Sequence, residues 1–327
     1  MIKYALIGCG AAAKVHVHHL QEHPDVKIVA TCDPLEPTDQ IFTSLQVPHY
    51  QHYQQLLDSQ PIDAISIISP HASHYEQALD CSQKRIYVLC DKPLALSYQH
   101  AEEVVHAFEE KNLKLSVMLP RRFFNNTLAV EKALKENDLG KVKNIVYDLC
   151  VNKDQSYYAN WRGKKAQAGG GVLMCQALHD LDRLVYLFGG AQIATANLQT
   201  TRDYIDVEDV AKVQIQFPGN ISCTINADTI SKDTWVGKIT IETEKSSIIL
   251  NSEDTESWPA INTPKPEPNK DNYGPTIKPR YYGPGHGLVI DDFLNSIREN
   301  HTPKISGRST LPTLKVLFDI YDKAKHT

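Results

Sequence analysis

The chain has 327 residues, about two domains at roughly 150 residues per domain. Its 39 Asp and Glu outnumber 34 Lys and Arg, and the net charge of −5 disfavours nucleic-acid binding, which needs a basic surface over the phosphates. Hydrophobic residues make up 42%, too many for a disordered chain. No apolar run approaches the ~20 residues of a membrane helix. We therefore expect a soluble two-domain protein with no nucleic-acid or membrane partner.

The cysteines and the N-terminus indicate the compartment. Seven cysteines are scattered along the chain without a CxxC pair, which fits neither a disulfide framework nor a zinc site and favours a reducing environment. Leu6-Ile7-Gly8-Cys9 resembles a lipoprotein cleavage site, but only five residues precede Leu6, too few for a signal peptide. A cytoplasmic location is therefore expected.

The first third of the chain alternates strand and helix patterns. Short, β-branched, apolar runs predict buried parallel strands at 3–7, 27–31, 64–68, 86–89 and 114–118. Helical patterns separate them at 10–23, 74–83 and 97–112, the last with Ser97 as its N-cap. This alternation predicts a doubly wound parallel sheet in a first domain over residues 1–119.

After Leu119-Pro120 the pattern changes to successive strands. A predicted helix at 125–137 is followed by segments typical of a mostly antiparallel sheet, at 142–151, 210–217, 221–228, 238–243 and 247–250, with one helix at 171–188 among them. Residues 259–284 hold seven of the 18 prolines, so we expect a functional or interface loop there. Helices at 288–300 and 311–325 complete a second domain, predicted at 120–327.

A glycine-rich turn between the first strand and the first helix predicts a dinucleotide site. The residues that match G-x-G-x-x-[GA] are Gly8, Cys9, Gly10, Ala11, Ala12 and Ala13. Glycines there let backbone N–H groups approach a pyrophosphate at the positive end of the helix. Asp33 follows Ala13 by 20 residues, where a carboxylate accepts hydrogen bonds from the adenosine ribose and would repel a 2′-phosphate. The sequence therefore predicts NAD rather than NADP; an ordinary strand-to-helix turn is the alternative.

Asp91-Lys92-Pro93 follows the predicted strand at 86–89, at the carboxyl edge where such sheets bind ligands. A lysine there can hydrogen-bond a reacting hydroxyl and ease its proton loss. A solvated loop lysine is the alternative that this tripeptide leaves open.

The segment GGGVLMCQALHDLD at 169–182 is the second candidate site. Its glycines permit close backbone approach, and the helix they open places Cys175 and His179 four residues apart on one face. Histidine is suited to accept a hydroxyl proton near neutral pH, and Asp182 is placed to orient it. A histidine packed against the sheet is the alternative.

Three histidines on the first predicted helix, His16, His19 and His23, imitate a metal site. No carboxylate or cysteine completes a ligand set, so we expect ordinary, partly exposed histidines and no metal.

Together these residues resemble the Gfo/Idh/MocA oxidoreductases. The resemblance is carried by GCGAAA at 8–13, Asp33, SPHASH at 69–74, DKP at 91–93 and the segment at 169–182, and it extends to residues 286–307. It implies an α/β fold: an N-terminal Rossmann domain, and a C-terminal α/β domain with a large, mostly antiparallel open sheet. That sheet often serves oligomerisation, so a homo-oligomer is expected.

The resemblance also implies residue roles. Lys92 matches the active-site lysine and His179 the catalytic histidine, and the division of proton transfer between them stays open. The positions implied to contact the cofactor NAD are Gly8, Gly10, Ala11, Ala12, Ala13, Asp33, Ser69, Pro70, His71, His74, Asp91, Lys92 and Pro93. Asp91 replaces the commoner glutamate of the family.

Within the family, residues 157–171 and 174–179 are similar to the UDP-N-acetylglucosamine-type 3-dehydrogenases. Cys175 stands where polyol-type members have Asp and nucleotide-sugar types have Asn, which weakens a polyol substrate and leaves the polar contact to the sugar open. Arginines suit phosphate contacts, and aromatic rings can stack on sugar or uracil. The predicted substrate-binding residues are Lys92, Arg121, Tyr158, Trp161, Arg162, Cys175, Gln176 and His179.

The resulting hypothesis is an NAD-dependent dehydrogenase that oxidises the 3-hydroxyl of a UDP-N-acetylhexosamine, either UDP-GlcNAc or its uronate. The resemblance implies that the 3-keto product suits a downstream PLP aminotransferase in the synthesis of surface glycolipids or polysaccharides. The alternatives are a dehydrogenase of a free sugar or polyol, an NAD-dependent glycosidase and a non-catalytic sensor. Three questions stay open: whether C6 of the sugar is a hydroxymethyl group or a carboxylate, whether NADH dissociates or is reoxidised in place, and whether the protein is a dimer or a tetramer.

Overall fold

The structure is a computed structural model that describes residues 1–232, 236–252, 254–270 and 285–325. It divides into two compact units. The first comprises Met1–Pro120 and Lys270–Leu311, and the second Arg121–Asn269 and Pro312–Thr327. These units differ from the predicted domains, 1–119 and 120–327, chiefly because residues 285–311 belong to the first unit.

A six-stranded parallel sheet forms the first unit. Its strands are Ile2–Ile7 (β1), Val26–Cys32 (β2), His49–Tyr50 (β3), Ala64–Ile67 (β4), Tyr87–Cys90 (β5) and Leu115–Val117 (β6). The strand order is β3-β2-β1-β4-β5-β6 and every neighbouring pair is parallel, which confirms the predicted doubly wound sheet. The strand β3 was not predicted, because its two residues are too few to show a pattern.

The helices of both units are numbered along the chain. They are Ala11–Gln21 (α1), Gln40–Thr43 (α2), Tyr53–Ser59 (α3), His74–Gln83 (α4), Tyr98–Glu110 (α5), Asn125–Lys135 (α6), Gln155–Tyr158 (α7), Lys165–Ala168 (α8), Leu178–Phe188 (α9), His286–Arg298 (α10) and Gly307–Ala324 (α11). Ser97 caps α5 as predicted, since its Oγ accepts a hydrogen bond from the His100 N–H at 3.1 Å. Among the described residues, no helix combines the length and the apolar character needed to cross a lipid bilayer.

The part of the first unit that comes late in the chain, described from residue 285, contacts the rest of the unit at the edge of the sheet and at α1. The Val117 N–H donates to the Ile305 carbonyl at 3.0 Å, at the edge strand β6. The helix α10 packs on α1, where a Cβ on Gly287 would lie 2.6 Å from the His19 ring. Only glycine allows this close approach, so α10 belongs to the first unit.

The histidines of α1 pack inside this unit. His16 is 1% exposed and His19 7% exposed, so the expectation of partly exposed rings is wrong for both. The His16 Nδ1 lies 2.9 Å from the Ser66 hydroxyl, and burial lowers the pKa of His16 to about 3. His23 pairs with Asp291 at 2.9 Å. Within the described ranges no three His, Cys, Asp or Glu side chains are grouped as metal ligands.

A seven-stranded sheet forms the second unit. Its strands are Val142–Cys150 (β7), Gln192–Gln199 (β8), Val210–Phe217 (β9), Ile221–Asp228 (β10), Val236–Thr243 (β11), Ser247–Asn251 (β12) and Asp254–Ser257 (β13). The order is β13-β12-β11-β7-β10-β9-β8, and only the β10–β7 pair is parallel. This confirms the predicted, mostly antiparallel open sheet.

The proline-rich segment is described in part. Asp138 is 2% exposed, and its carboxylate accepts hydrogen bonds from the backbone N–H groups of Ile261, Asn262 and Thr263 at 2.8–3.2 Å. The beginning of the segment therefore packs on the second unit. Residues 271–284, which carry the rest of the predicted loop, lie outside the described residues.

Candidate active site

Two positions of the predicted dinucleotide turn, Gly8 and Gly10, are occupied by glycine for different structural reasons. Gly8 has φ +99°, and a Cβ there would lie 2.6 Å from the Ile68 carbonyl oxygen, so the fold itself requires glycine. Gly10 precedes α1 with φ −76°, and a Cβ there would meet no atom of the described residues within 4 Å. The space beside the first turn of α1 is therefore open, as a cradle for a pyrophosphate must be.

The Asp33 carboxylate lies beside this turn at the end of β2. One oxygen accepts the Cys9 N–H at 2.9 Å and the other the Leu35 N–H at 3.0 Å, which orients the carboxylate. Each oxygen keeps a lone pair for a ribose hydroxyl, so the residues present fit an NAD adenosine. Burial, reinforced by the Asp33 charge, raises the pKa of Cys9 to about 12 and keeps that thiol neutral.

His74 connects the loops that follow β4 and β5. Its ring is fully buried, with Nδ1 2.7 Å from the Pro93 carbonyl oxygen and Nε2 2.9 Å from that of Ser69. The Ser69 hydroxyl in turn donates to the Gln77 Oε1 at 2.6 Å. Both ring nitrogens of His74 therefore face backbone carbonyls of the two loops, so the ring holds these loops together, and its contact with the cofactor stays a prediction.

Lys92 is not the solvated lysine of the alternative interpretation. The Asp91 N–H donates to the Ile67 carbonyl at 2.7 Å, which extends the strand pairing to the end of β5. The Asp91 carboxylate accepts the Lys92 N–H at 2.8 Å, and Lys92 is only 8% exposed. Lys92 is therefore a buried residue at the carboxyl edge of a doubly wound sheet, the edge where such sheets bind ligands.

In the second unit, the triple glycine is explained by packing of the protein on itself. A Cβ on Gly170 would lie 2.0 Å from the Tyr321 hydroxyl, and one on Gly171 1.8 Å from the Glu208 carbonyl oxygen. Gly169 has φ +79° and ends α8. The close backbone approach predicted here is therefore to Glu208 and Tyr321.

Glu208 holds the start of the helix that follows. Its carboxylate accepts the N–H groups of Gly171 at 2.8 Å and Leu173 at 3.1 Å, and the Tyr321 hydroxyl at 2.8 Å. Burial raises the pKa of Glu208, although these hydrogen bonds oppose the shift. Sequence reasoning missed both partners; the triple glycine was their only trace in the sequence.

Cys175 and His179 lie on this helical segment, which opens with a π-helical turn at Leu173–Ala177 before α9. Both residues are half-buried, whereas Gln176, Ala177 and Leu178 between them are buried. The two side chains therefore share one face, as predicted. A π-turn in a helix is frequent at functional sites.

The acidic residues near His179 are engaged elsewhere. The Asp182 carboxylate accepts hydrogen bonds from the Arg122 Nε at 2.8 Å and from the Thr313 hydroxyl at 2.8 Å, so it anchors α9 instead of orienting His179. Asp180 is 1% exposed and forms an ion pair with Arg121, which is 8% exposed. The charge of Arg121, a predicted substrate residue, is therefore neutralised inside the unit.

Two of the aromatic residues before the triple glycine pack in or against a small core. Tyr158 is 4% exposed, packs with Ile205 and Val207, and its hydroxyl lies 2.8 Å from that of Thr229. This predicted substrate residue is therefore part of a small core. The neighbouring Tyr157 packs against this core, and its hydroxyl accepts a hydrogen bond from Gln176 Nε2 at 2.6 Å.

The parallel sheet and the glycine turn define a protein with a dinucleotide-binding fold. Residues 2–119 match the model of the oxidoreductase family with an NAD-binding Rossmann fold, and residues 127–249 match that of the GFO/IDH/MocA C-terminal domain. The chain therefore belongs to the Gfo/Idh/MocA oxidoreductase family, as the motifs predicted.

Relatives and solved structures agree with this assignment. An uncharacterized oxidoreductase of Synechocystis sp. is 26% identical over 98% of this chain and 93% of its own. A scyllo-inositol 2-dehydrogenase (NADP(+)) of Bacillus subtilis is 25% identical over 66% of this chain and 60% of its own. The WlbA dehydrogenase from Bordetella pertussis, solved with NADH and UDP-GlcNAcA, is 25% identical with TM-score 0.87, over 99% of this chain and 96% of that one.

Proposed function

We propose that the protein is an NAD-dependent dehydrogenase that oxidises the 3-hydroxyl of a UDP-N-acetylhexosamine, UDP-GlcNAc or its uronate. The observation that carries the substrate class is the similarity, over 99% of the chain, to a dehydrogenase solved with UDP-GlcNAcA. The departure at Cys175 from the Asp of polyol-type members supports the same choice.

The described residues suit this reaction. NAD, when bound, supplies the hydride acceptor. The open face at Gly10 and the N-terminus of α1 would hold its diphosphate, and the Asp33 carboxylate would accept hydrogen bonds from its ribose hydroxyls. The groups proposed to take part in proton transfer are the amine of Lys92, which can ease proton loss from a hydroxyl, and the imidazole of His179, which can accept a proton near neutral pH; the division between them stays open.

The proposal extends to the surroundings of the enzyme. A 3-keto sugar is a substrate for transamination, so a PLP aminotransferase is the class of enzyme that consumes the product. We propose a cytoplasmic homo-oligomer formed through the seven-stranded sheet.

In the experiment, the protein is incubated with NAD or NADP and with UDP-GlcNAc, UDP-GlcNAcA, glucose or myo-inositol, and the products are analysed. A 2-oxo acid is added in parallel, in case NADH is reoxidised without leaving the protein. We expect a 3-keto nucleotide sugar by mass spectrometry, with NAD and a UDP-sugar only. Turnover of the free sugar or polyol alone would establish the rival dehydrogenase, and a large preference for NADP would refute the role of Asp33.

The proton-transfer residues are tested by Lys92→Met and His179→Asn. Each is expected to lower turnover by ~10²-fold or more, since general acid–base groups contribute on that order. Lys164→Met, which removes an exposed lysine, is the matched control. Turnover near wild type in both test variants would contradict the assignment.

A further inference from the structure

Two cationic side chains meet on one aromatic ring of the second unit. The Lys153 Nζ lies 4.8 Å from the centroid of the Tyr157 ring, and the Arg162 Cζ lies 5.3 Å from the same centroid. We propose that Lys153 and Arg162 form an anion-binding subsite for the nucleotide sugar, which takes its C6 carboxylate or its diphosphate. The proposal rests on the proposed function and names the residues that would recognise the negative charge of that substrate.

The backbone of Lys153 is fixed on both sides. Its N–H donates to the Thr229 carbonyl at 3.1 Å, and its carbonyl accepts from an Arg202 guanidinium nitrogen at 2.9 Å. Asp154 caps the short helix α7 by accepting the Tyr157 N–H at 3.1 Å, which places that ring under the lysine. The fold therefore fixes the backbone of Lys153, and its ammonium group lies over a ring that the same fold holds in place.

Arg162 is held equally well. It lies in the 3-10 turn Trp161–Gly163, and its N–H donates to the Asn160 Oδ1 at 3.1 Å. Its Cζ lies 4.5 Å from the centroid of the Trp161 ring, so the guanidinium contacts both aromatic rings. A Cβ on Gly163 would lie 2.7 Å from the Tyr158 carbonyl oxygen, so only glycine permits this tight turn.

The electrostatics favour an anion at this place. Burial, and after it the positive charge of Arg162, lower the pKa of Lys153, as expected for a cation that is partly removed from water near a second cation. Asp154 opposes this shift from an exposed position. An anionic group that binds both cations relieves the repulsion, whereas a neutral hydroxymethyl group gains no such charge interaction.

The subsite lies beside the helix that carries His179. The Tyr157 hydroxyl accepts the Gln176 Nε2 hydrogen bond at 2.6 Å, and Gln176 precedes His179 by three residues. The Cys175 thiol also lies close enough to Lys153 to influence its pKa. An anionic substituent of a sugar is therefore bound on the same unit and next to the same helix as the proposed proton acceptor.

The test compares two substrates that differ only at C6. Steady-state kinetics are measured for Lys153→Met, Lys153→Arg and Lys164→Met, the last an exposed lysine 11 residues along the chain, with UDP-GlcNAcA and with UDP-GlcNAc. Binding of UDP-GlcNAcA is measured by calorimetry on the same proteins, so that affinity is followed independently of turnover.

We expect Lys153→Met to raise KM and Kd for UDP-GlcNAcA tenfold or more, with KM for NAD unchanged, and Lys153→Arg to recover most of the loss. A loss confined to the uronate identifies the C6 carboxylate as the anion, and an equal loss with both sugars identifies the diphosphate. Unchanged KM and Kd for both sugars in Lys153→Met would overturn the subsite while leaving the proposed function intact. A wild-type protein that neither binds nor oxidises either sugar would overturn both.

Discussion

Replacing Gly8 by alanine should lower folding stability, whereas replacing Gly10 should lower NAD affinity, although both glycines belong to one turn. At Gly8, the positive φ of +99° costs a side chain about 1–2 kcal/mol. The Cβ placed 2.6 Å from the Ile68 carbonyl adds an overpacking cost of about 1–3 kcal/mol. We therefore expect Gly8→Ala to lose about 2–5 kcal/mol of folding stability, with Tm lower by about 2–4 °C for each kcal/mol.

At Gly10 the same methyl group meets no described atom within 4 Å, and φ of −76° suits alanine. Gly10→Ala should therefore change the folding free energy by about 1 kcal/mol or less, the usual range at an N-cap. The methyl group occupies the space assigned to the diphosphate, so NAD affinity should fall at least tenfold, or about 1.4 kcal/mol.

The assay is thermal unfolding without NAD, followed by NAD titration monitored by fluorescence. Gly190→Ala is the matched control, because a Cβ there also meets no described atom within 4 Å. A wild-type Tm in Gly8→Ala, or wild-type NAD affinity in Gly10→Ala, would refute the separation of fold and cofactor roles.

Three further outcomes follow from buried groups. The His16 pKa of about 3 lies below its unfolded value of 6.5, so folding stability should fall as the pH drops below 6.5, by up to about 1.4 kcal/mol per pH unit. The variant His16→Gln should flatten the decline of Tm between pH 6.5 and 5, and an unchanged slope would contradict this. Gly171→Ala drives a Cβ to 1.8 Å from the Glu208 carbonyl and should abolish the near-UV circular dichroism of a folded second unit; a native spectrum would count against it. Asp182→Asn breaks the buried pair with Arg122 and should cost about 3–5 kcal/mol in urea unfolding, whereas an unchanged midpoint would show that the pair is dispensable.

Hydrophobic periodicity predicted the elements whose residues alternate between buried and exposed environments. The strands β9 and β10 were predicted with their observed bounds, because every second residue of each is buried or half-buried. The strand β8 was missed, since half of its sequence QIATANLQ is polar and its few apolar residues show no regular alternation. The strand β13 was missed as well, because its four residues DTES carry no apolar pattern of their own.

The candidate site divides in the same way. Local chemistry was readable: the glycine turn, Asp33 at the end of its strand, and the four-residue spacing of Cys175 and His179 depend on neighbours in the sequence. Partners distant in the chain were not readable. Arg121, predicted to contact a phosphate, forms a buried ion pair with Asp180, and Tyr158, predicted to bind the substrate, packs in a small core.

The amino-acid sequence by itself determined the sheet types, the dinucleotide turn and the family, because these depend on short-range spacing and on backbone conformations that glycine alone allows. Only the tertiary structure decided that Glu208 and Tyr321 require the triple glycine, and that Lys153 joins Arg162 on one ring. Such contacts join residues far apart in the chain, and which of many possible partners meets a given side chain is settled by how the strands and helices pack.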